Sequence, residues 1–372
     1  MSSLMKRMQK ASVLSKAAIM AESEIFSKRY EINLPVPLMN LFYSGRLDGA
    51  MMPGMHMIAG PSRHFKSNLS MVALKAFQEQ YPEGIIIFYD SEFGSLPVYF
   101  EDAGIDTTRI LHCPVTNFEE YKFDIAQKLE EIKDDDYVFM YTDSLGNLAS
   151  KKEVEDAKKG NDAMDMTRAK AGKSISRIIT PYLTTKHIWF IGIQHTYDTI
   201  EMYSKKVMSG GQGWMLSSHT VAIMGKRQLK EKDEGGGLKG FDFVINAEKN
   251  RYIKEKSALP ITVTFEGGIA RYSGLLDIAV ATGFVERPSN RSYTRPYILD
   301  ENGEPESILW KKSDLETPEF WEPLLALDSF QDAAEKLYSL HNPKTFTIDQ
   351  DEIIMDNLDI DEETGEVLGY KE

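Results

Sequence analysis

The eight residues Gly60-Pro-Ser-Arg-His-Phe-Lys-Ser67 have the types and spacing of a phosphate-binding loop. They follow the apolar run 55–59 and precede the helix-compatible stretch 67–80, which predicts the strand, loop and helix that such a site requires. In loops of this kind successive backbone N–H groups wrap a phosphate, the lysine reaches the outer phosphates and the serine holds Mg²⁺. The residues therefore predict a site for a nucleoside triphosphate with Mg²⁺.

One position departs from the pattern G-x-x-x-x-G-K-[ST], because Phe65 stands where glycine is expected. Glycine bends the chain there without steric cost, and phenylalanine does not. Two roles are open for Phe65: it caps the phosphates, or it packs toward an adjacent subunit.

The elements that must position this loop are predicted from hydrophobic runs. Near-continuous apolar character, typical of parallel strands covered on both faces, occurs in three further segments: 84–90, 137–143 and 187–193. Helical spacing occurs between them in 96–103, 118–132 and 163–182. The fold class is therefore α/β, with a mostly parallel sheet flanked by helices.

Three later runs alternate more clearly between apolar and polar residues: 219–224, 241–246 and 260–265. They are predicted to extend the same sheet with antiparallel strands. Residues 235–237 are three glycines and are expected to form a flexible hairpin connection.

The carboxyl ends of the predicted parallel strands carry a set of polar residues, and ligands of open α/β sheets bind at such ends. Asp143 ends the third strand and is suited to hold Mg²⁺. Glu92, just past the second strand, is suited to orient or deprotonate an attacking water. Gln194 or His195, at the fourth, is suited to sense the terminal phosphate. Together with the loop, these residues predict an ATPase.

Composition limits the class of protein. The chain has 372 residues, 42% of them hydrophobic, and no apolar run long enough to cross a membrane, so a globular protein without a membrane partner is expected. The single cysteine, Cys113, excludes an intrachain disulfide and suits the cytoplasm. The tail 349–372 contains ten acidic residues and one lysine, which carry −9 of the net charge of −14. It is either a solvated end without regular structure or a regulatory tail that competes with an anionic ligand.

Five stretches of the sequence resemble the RecA recombinase superfamily, and most closely its phage branch, the UvsX recombinases. The matching stretches are 60–68, 88–94, 142–153, 165–170 and 248–256, within a similarity that extends from about residue 31 to residue 284. Phage members are similar even in having phenylalanine before the lysine. The resemblance implies an ATP-dependent recombinase that forms helical filaments on single-stranded DNA and pairs it with homologous duplex in recombination, repair and replication.

Site roles follow from the resemblance residue by residue. The loop residues that would bind ATP are Gly60, Pro61, Ser62, Arg63, His64, Phe65, Lys66, Ser67 and Asn68. Ser67 and Asp143 look like the Mg²⁺ ligands, and Glu92 like the catalytic carboxylate. Tyr99 occupies the place where RecA-like proteins stack a tyrosine on adenine. RecA has Asn-Gln at the end of the fourth strand, whereas this chain has Gln194-His195, and register favours His195 as the sensor.

The resemblance also implies that ATP lies between subunits of the filament. Lys249 and Arg251 match the two cations that RecA-type proteins insert from the neighbouring subunit. Two loops match the DNA-binding loops. The residues expected to contact DNA are Lys151, Lys152, Lys158, Lys159 and Arg168 in or just after the first, and Tyr203, Lys205, Lys206, Gly210 and Gly211 in the second.

Four regions are predicted: an N-terminal oligomerisation arm (1–30), an ATPase core (31–274), a small C-terminal domain (275–345) and the acidic tail (346–372). Single- and double-stranded DNA, further copies of the chain, and a phage recombination mediator and single-strand-binding protein are the expected partners, in the host cytoplasm. Two alternatives are a RecA-fold hexameric DNA helicase and a nucleotide-gated scaffold that does not hydrolyse. The short arm argues against the helicase, and retention of Glu92 and Asp143 argues against the scaffold.

Overall fold

The computed structural model describes residues 3–23, 25, 30–160, 167–200, 204–230 and 237–340, together with the backbone of 358–360 and 367–370. Its helices are Ser3–Ala11 (α1), Pro37–Ser44 (α2), Lys66–Gln80 (α3), Pro97–Asp102 (α4), Phe118–Glu131 (α5), Lys151–Lys158 (α6), Thr167–Thr185 (α7), Gln212–Ser217 (α8), Leu275–Ala281 (α9), Pro318–Leu325 (α10) and Asp328–Tyr338 (α11).

Its strands are Gly54–Ala59 (β1), Ile85–Asp90 (β2), Ile110–Pro114 (β3), Val138–Asp143 (β4), Trp189–Gln194 (β5), Thr196–Asp198 (β6), Lys206–Met208 (β7), Thr220–Lys230 (β8), Leu238–Asn250 (β9), Ala258–Thr264 (β10), Gly268–Ile269 (β11), Glu286–Ser289 (β12), Ser292–Thr294 (β13), Trp310–Lys311 (β14), Leu358–Ile360 (β15) and Val367–Tyr370 (β16).

Local sequence explains where several helices begin. The Asn117 side chain accepts from the Glu120 N–H at 3.0 Å at the start of α5, and Ser150 Oγ accepts from the Glu153 N–H at 3.0 Å at the start of α6. Such caps satisfy backbone donors that have no partner inside the helix. Proline in the first turn of α2, α4 and α10 fixes a helical φ where its missing N–H costs nothing.

The described strands form one large sheet in the order β11-β10-β9-β8-β1-β5-β4-β2-β3. From β8 to β3 every neighbouring pair is parallel, and from β8 to β11 every pair is antiparallel. The α/β class with a mostly parallel sheet is confirmed.

The prediction for 219–224 was wrong in one respect, because β8 lies parallel to β1 and the antiparallel additions are β9, β10 and β11. The chain returns from β5 through α8, and this crossover brings β8 in along the same direction as β1. The first five residues of β8 are all buried, as in a parallel strand, and exposed residues appear only farther along.

Two apolar cores cover the two faces of the sheet. One contains α2 and α3, packed on inward residues such as Phe88 and Trp189. The other contains α5 and α7, packed on residues such as Tyr89 and Phe190. Because neighbouring residues of a strand point to opposite faces, each strand feeds both cores, which explains the unbroken apolar runs.

Several elements escaped prediction. Strand β3 forms one edge of the sheet and is mostly exposed, so it has no apolar run. The predicted C-terminal domain contains a small sheet, β12-β13-β14, whose strands are only two to four residues long and give no apolar run. In the acidic tail β15 pairs with β16, so the expectation of an end without regular structure was wrong for these residues. The other tail residues lie outside the described part.

The N-terminal arm is only partly helical. All residues of α1 are exposed, among them Leu4, Met5 and Met8. Lys16 contacts the core through an ion pair of 2.8 Å with Asp134. The arm therefore presents apolar side chains that its own core does not cover.

Candidate functional site

The phosphate loop lies between β1 and α3, at the carboxyl edge of the parallel strands. The Gly60 N–H donates to the carbonyl of Gln194 at 3.2 Å, and a Cβ at Gly60 would lie 3.1 Å from that of Met224. Lys66 is buried and its ammonium donates to the carbonyl of Pro61 at 2.9 Å. Burial lowers the pKa of Lys66, opposed by the charges of Asp143 and Glu92.

Phe65 adopts the left-handed conformation that glycine would supply, with φ 65° and ψ 16°, directly before α3. Its ring stacks on Phe243 of the same chain, with centroids 4.6 Å apart and an angle of 16° between planes. Neither role considered for Phe65 predicted this contact of its ring with its own sheet. Its partner, Phe243, lies far away in the sequence and was not predicted.

A serine hydroxyl and a carboxylate meet beside the loop. Ser67 Oγ donates to Asp143 Oδ2 at 2.6 Å, and the Tyr141 hydroxyl donates to the same oxygen at 2.7 Å. Burial raises the pKa of Asp143 above its usual value, although both hydrogen bonds lower it. Hard oxygen donors in contact at the foot of a phosphate loop fit Mg²⁺ shared with a nucleotide.

Glu92 follows the end of β2 and lies beside Ser144, the residue that follows the end of β4. Its Oε1 accepts from Ser144 Oγ at 2.7 Å and lies 3.3 Å from His195 Nε2. The hydrogen bond from His195 is the main cause that holds the pKa of Glu92 below its usual value, with Ser144 and Lys66 contributing. Ser144 was not predicted; its only signal was its place directly after Asp143.

The turn that carries Glu92 is fixed by hydrogen bonds within the turn and by one to the residue that follows β4. Asp90 Oδ1 accepts from the N–H groups of Glu92 at 3.0 Å and Phe93 at 2.8 Å. Ser91 Oγ donates to the carbonyl of Ser144 at 2.6 Å. Glu92 is thus placed by backbone contacts that do not depend on a ligand.

Gln194 and His195 face two different places. His195 contacts Glu92, whereas the buried Gln194 accepts from Ser209 Oγ in the second loop at 2.9 Å. Gln194 Nε2 is buried with no partner among the described residues, and a Cβ at Gly210 would lie 2.6 Å from it. The pair therefore connects the carboxylate on one side with the second loop on the other.

A cavity of about 1070 Å³ opens beside these groups. Phe65, Ser67, Glu92, Asp143 and Tyr99 contribute to its wall. Tyr99 lies on α4 with half of its surface exposed. An aromatic ring and the phosphate loop thus line the same cavity, and its volume is sufficient for a nucleotide.

Lys249 and Arg251 lie elsewhere. Strand β9 runs antiparallel to β8, so its last residues lie beside the amino end of β8. Lys249 and Arg251 are therefore at the opposite end of the strands from Gly60. The Lys249 ammonium donates to the carbonyls of Met215 at 2.9 Å and Leu216 at 2.8 Å, at the end of α8. The structure thus does not bring these cations to the chain's own phosphate loop.

The first predicted DNA-binding loop contains a helix. Lys151, Lys152 and Lys158 lie on α6 with Lys159 directly after it, and all four are exposed. The helix begins here because Ser150 and Glu153 form a capping box. Arg168, in the first turn of α7, donates to the carbonyl of Gly146; residues 161–166 lie outside the described part.

The second loop follows β5 and contains the hairpin of β6 and β7. Lys205 and Lys206 are exposed, and Lys206 pairs with Asp198 at 3.1 Å. Gly210 and Gly211 have φ of 85° and 83°, which favour glycine. Tyr203 lies outside the described residues. Both loops leave the sheet at the edge that carries the phosphate loop.

No described helix is both long and apolar enough to span a membrane. The described residues also contain no group of three or more His, Cys, Asp or Glu that could hold a metal ion. A metal beside Ser67 and Asp143 would therefore take its other ligands from water or a bound phosphate, as Mg²⁺ commonly does.

Comparison with known proteins agrees with this geometry. Residues 272–334 match the family model described as bacteriophage T4 recombination and repair protein, C-terminal domain. The chain is 44% identical over 361 residues to the recombination and repair protein of Enterobacteria phage T4, covering 96% of this chain and 90% of the phage protein.

More distant similarity reaches bacterial RecA. RecA of Mycoplasma mycoides subsp. mycoides is 26% identical over 239 residues, 62% of this chain and 65% of that protein. RecA of Borreliella burgdorferi is 24% identical over 238 residues, 62% of each chain. The matched part is thus under two thirds of the RecA proteins. The chain belongs to the family of the phage T4 recombination and repair protein, the UvsX branch of the RecA recombinases.

Proposed function

We propose that this protein is an ATP-dependent recombinase that forms helical filaments on single-stranded DNA and pairs it with homologous duplex. The observation that carries the proposal is the convergence of Ser67, Asp143 and Glu92 beside the phosphate loop, in a chain closely similar to a phage recombination and repair protein. It is a DNA-dependent ATPase.

ATP binds in the cavity beside the loop. The backbone of Gly60 to Asn68 and the Lys66 ammonium hold the phosphates, and the Tyr99 ring stacks on the base. Ser67 and Asp143 would hold Mg²⁺, which neutralises phosphate charge during transfer. The hydrogen bond of 2.6 Å from Ser67 Oγ to the Asp143 carboxylate supports this assignment, because it holds the two oxygen ligands side by side.

Glu92 orients the attacking water and accepts its proton. Ser144 and His195 keep its pKa low, so that the carboxylate is ionised and acts by positioning and electrostatics as well as by proton transfer. His195 joins Glu92 to the strand that carries Gln194, which supports a sensor made of both residues.

The contact between Gln194 and Ser209 supports a path from nucleotide to DNA. A change at the end of β5 reaches Gly210 directly, and Gly210 with the adjacent Gly211 permits the second loop to move. The exposed lysines 151, 152, 158, 159, 205 and 206, with Arg168 and Tyr203, contact the DNA backbone and bases.

Lys249 and Arg251 act on the nucleotide of a neighbouring subunit. Their place away from the chain's own loop supports this role, because cations that arrive only on assembly make hydrolysis depend on the filament. The arm 1–30 docks on the neighbour, which its exposed apolar side chains support.

The remaining parts of the proposal concern region boundaries and partners. We take 31–274 as the ATPase core, 275–345 as a small C-terminal domain and 346–372 as a tail that modulates DNA access. A phage recombination mediator and single-strand-binding protein are the protein partners, and the host cytoplasm is the compartment, which the phage relative supports.

The test is ATP hydrolysis measured with and without single-stranded DNA, at two salt concentrations, with Lys66→Ala as the inactive control. We expect DNA to stimulate turnover and salt to weaken DNA binding. Electron microscopy with ATP and DNA should show open filaments; closed rings would indicate a helicase, and binding without turnover would indicate a scaffold. DNA binding insensitive to salt, with no stimulation, would contradict the proposal.

A further inference from the structure

Two residues of the phosphate loop that carry a Cβ have left-handed backbone conformations. Arg63 has φ 60° and Phe65 has φ 65°. This region is unfavourable for residues other than glycine, and it persists where surrounding contacts hold it. Each of the two positions therefore calls for a compensating contact, and the structure contains one for each.

Phe65 is held by its ring. The ring stacks on Phe243, whose centroid lies 4.6 Å away, and Phe243 is only 5% exposed in the middle of β9. Stacked aromatic pairs contribute stability beyond their buried area. The stack therefore opposes the strain at Phe65 and fixes the start of α3 against the sheet.

Arg63 is held by a hydrogen bond to its backbone carbonyl. The Lys226 ammonium on β8 donates to the Arg63 carbonyl at 3.3 Å. The same ammonium lies 3.7 Å from the ring centroid of Phe241 and 5.6 Å from that of Phe243. We call the set of Phe65, Lys226, Phe241 and Phe243 the aromatic clamp.

We propose that Phe243 and Lys226 are positioning residues for ATP: the aromatic clamp holds Arg63 to Lys66 in the conformation whose backbone N–H groups receive phosphate. A left-handed residue followed by a helical one makes the kind of concave N–H arrangement that binds anions. The antiparallel strands β8 and β9 thus do for this loop what an inner glycine does elsewhere. The inference rests on the proposed function in taking ATP as the ligand.

The first experiment measures the Kd of ATP, and the KM and kcat of hydrolysis, for Phe243→Leu and Lys226→Met. We expect Phe243→Leu to raise Kd and KM roughly fivefold to tenfold with kcat nearly unchanged, because the clamp touches the loop and not the reacting atoms. Phe243→Tyr and Lys226→Arg keep the contacts, so their Kd, KM and kcat should stay close to those of the wild type. The matched control is Phe123→Leu, an aromatic residue that is 70% exposed and lies on α5, whose helix packs on the other face of the sheet.

The second experiment repeats Phe243→Leu in a Phe65→Gly background. Glycine adopts the left-handed conformation without strain, so the loss of Phe243 should then change the Kd by about twofold or less. A purely structural role of Phe243 would give the same change in both backgrounds, and that result would overturn the inference, as would an unchanged Kd in Phe243→Leu alone. If the wild-type chain binds ATP no better than Lys66→Ala, the proposed function fails instead.

Discussion

The parallel strands of the large sheet have two ends, which differ in how their charged groups are held. We call the carboxyl ends, beside the phosphate loop, the nucleotide edge, and the amino ends, beside Lys249, the second edge. At the nucleotide edge Ser67 and Asp143 bind each other, and Glu92 is bound by Ser144 and His195. At the other edge the Lys249 ammonium rests on two backbone carbonyls, and the described residues contain no ion pair of Arg251.

This difference is what the proposed function requires, in which the two edges of neighbouring subunits form one catalytic site. The first edge has a phosphate loop and two acids held by hydrogen bonds within the chain. The second has two cations for which the described residues show no ion pair, although the charge of Glu255 acts on Lys249. The strands separate the two halves within a chain. A second copy that places its Lys249 beside the first copy's Glu92 would complete the site, which suits a head-to-tail assembly.

The largest effect is expected at the nucleotide edge. Glu92→Gln should reduce the turnover of ATP by about 10²–10⁴-fold because it removes the proton acceptor and keeps the side-chain shape. The Kd of ATP, measured by nucleotide titration, should stay close to that of the wild type. A variant that hydrolyses ATP at the normal rate would remove Glu92 from the mechanism.

The second edge can be tested by mixing subunits. The double variant Lys249→Ala, Arg251→Ala should lose about 10²–10³-fold in turnover, because each cation stabilises transition-state charge. A 1:1 mixture with Glu92→Gln should recover activity at about a quarter of the interfaces, where both halves are intact. No recovery in the mixture, with both variants still in filaments, would mean that the cations act within their own subunit.

A smaller effect concerns the pH dependence at the nucleotide edge. His195 is the main group that lowers the pKa of Glu92, so His195→Gln should raise that pKa toward its usual value. The carboxylate is then protonated at a higher pH, and the acid limb of the kcat profile should move upward. Ser144→Ala should move it less; an acid limb unchanged in His195→Gln would show that Glu92 does not set it.

The smallest effect concerns stability at the second edge. Burial lowers the pKa of His56 to about 3 and that of His219 to about 4, with the charge of Arg251 adding to both shifts and that of Lys249 to the second. Between pH 6.5 and these values the unfolded chain binds protons that the folded chain does not, so stability must fall as the pH falls.

Urea unfolding should therefore show a loss of roughly 1–2 kcal/mol per histidine between pH 7 and pH 5. His219→Gln should remove its share of this slope. An identical slope in His219→Gln would show that this histidine is not buried as an uncharged group.

Much of the nucleotide edge could be predicted because its residues lie at strand ends. Two apolar runs end in Asp143 and Gln194, and a third is followed closely by Glu92. These runs predict the strands, and their carboxyl ends predict where a ligand binds. Ser144 escaped because a serine after a strand is commonplace. The edge strand β3 escaped because half-exposed strands lack an apolar run.

By itself the sequence determined the α/β class, the phosphate loop, the acids at the strand ends and the family, since these depend on residue type and local spacing. Only the tertiary structure decided what the Phe65 ring contacts and where Lys249 lies, because Phe243 is 178 positions from Phe65 and the strand pairing that brings it there is non-local. The direction of β8 was likewise decided by the crossover through α8 and not by its alternation. Contacts between distant strands form through the whole sheet, and no local pattern encodes them.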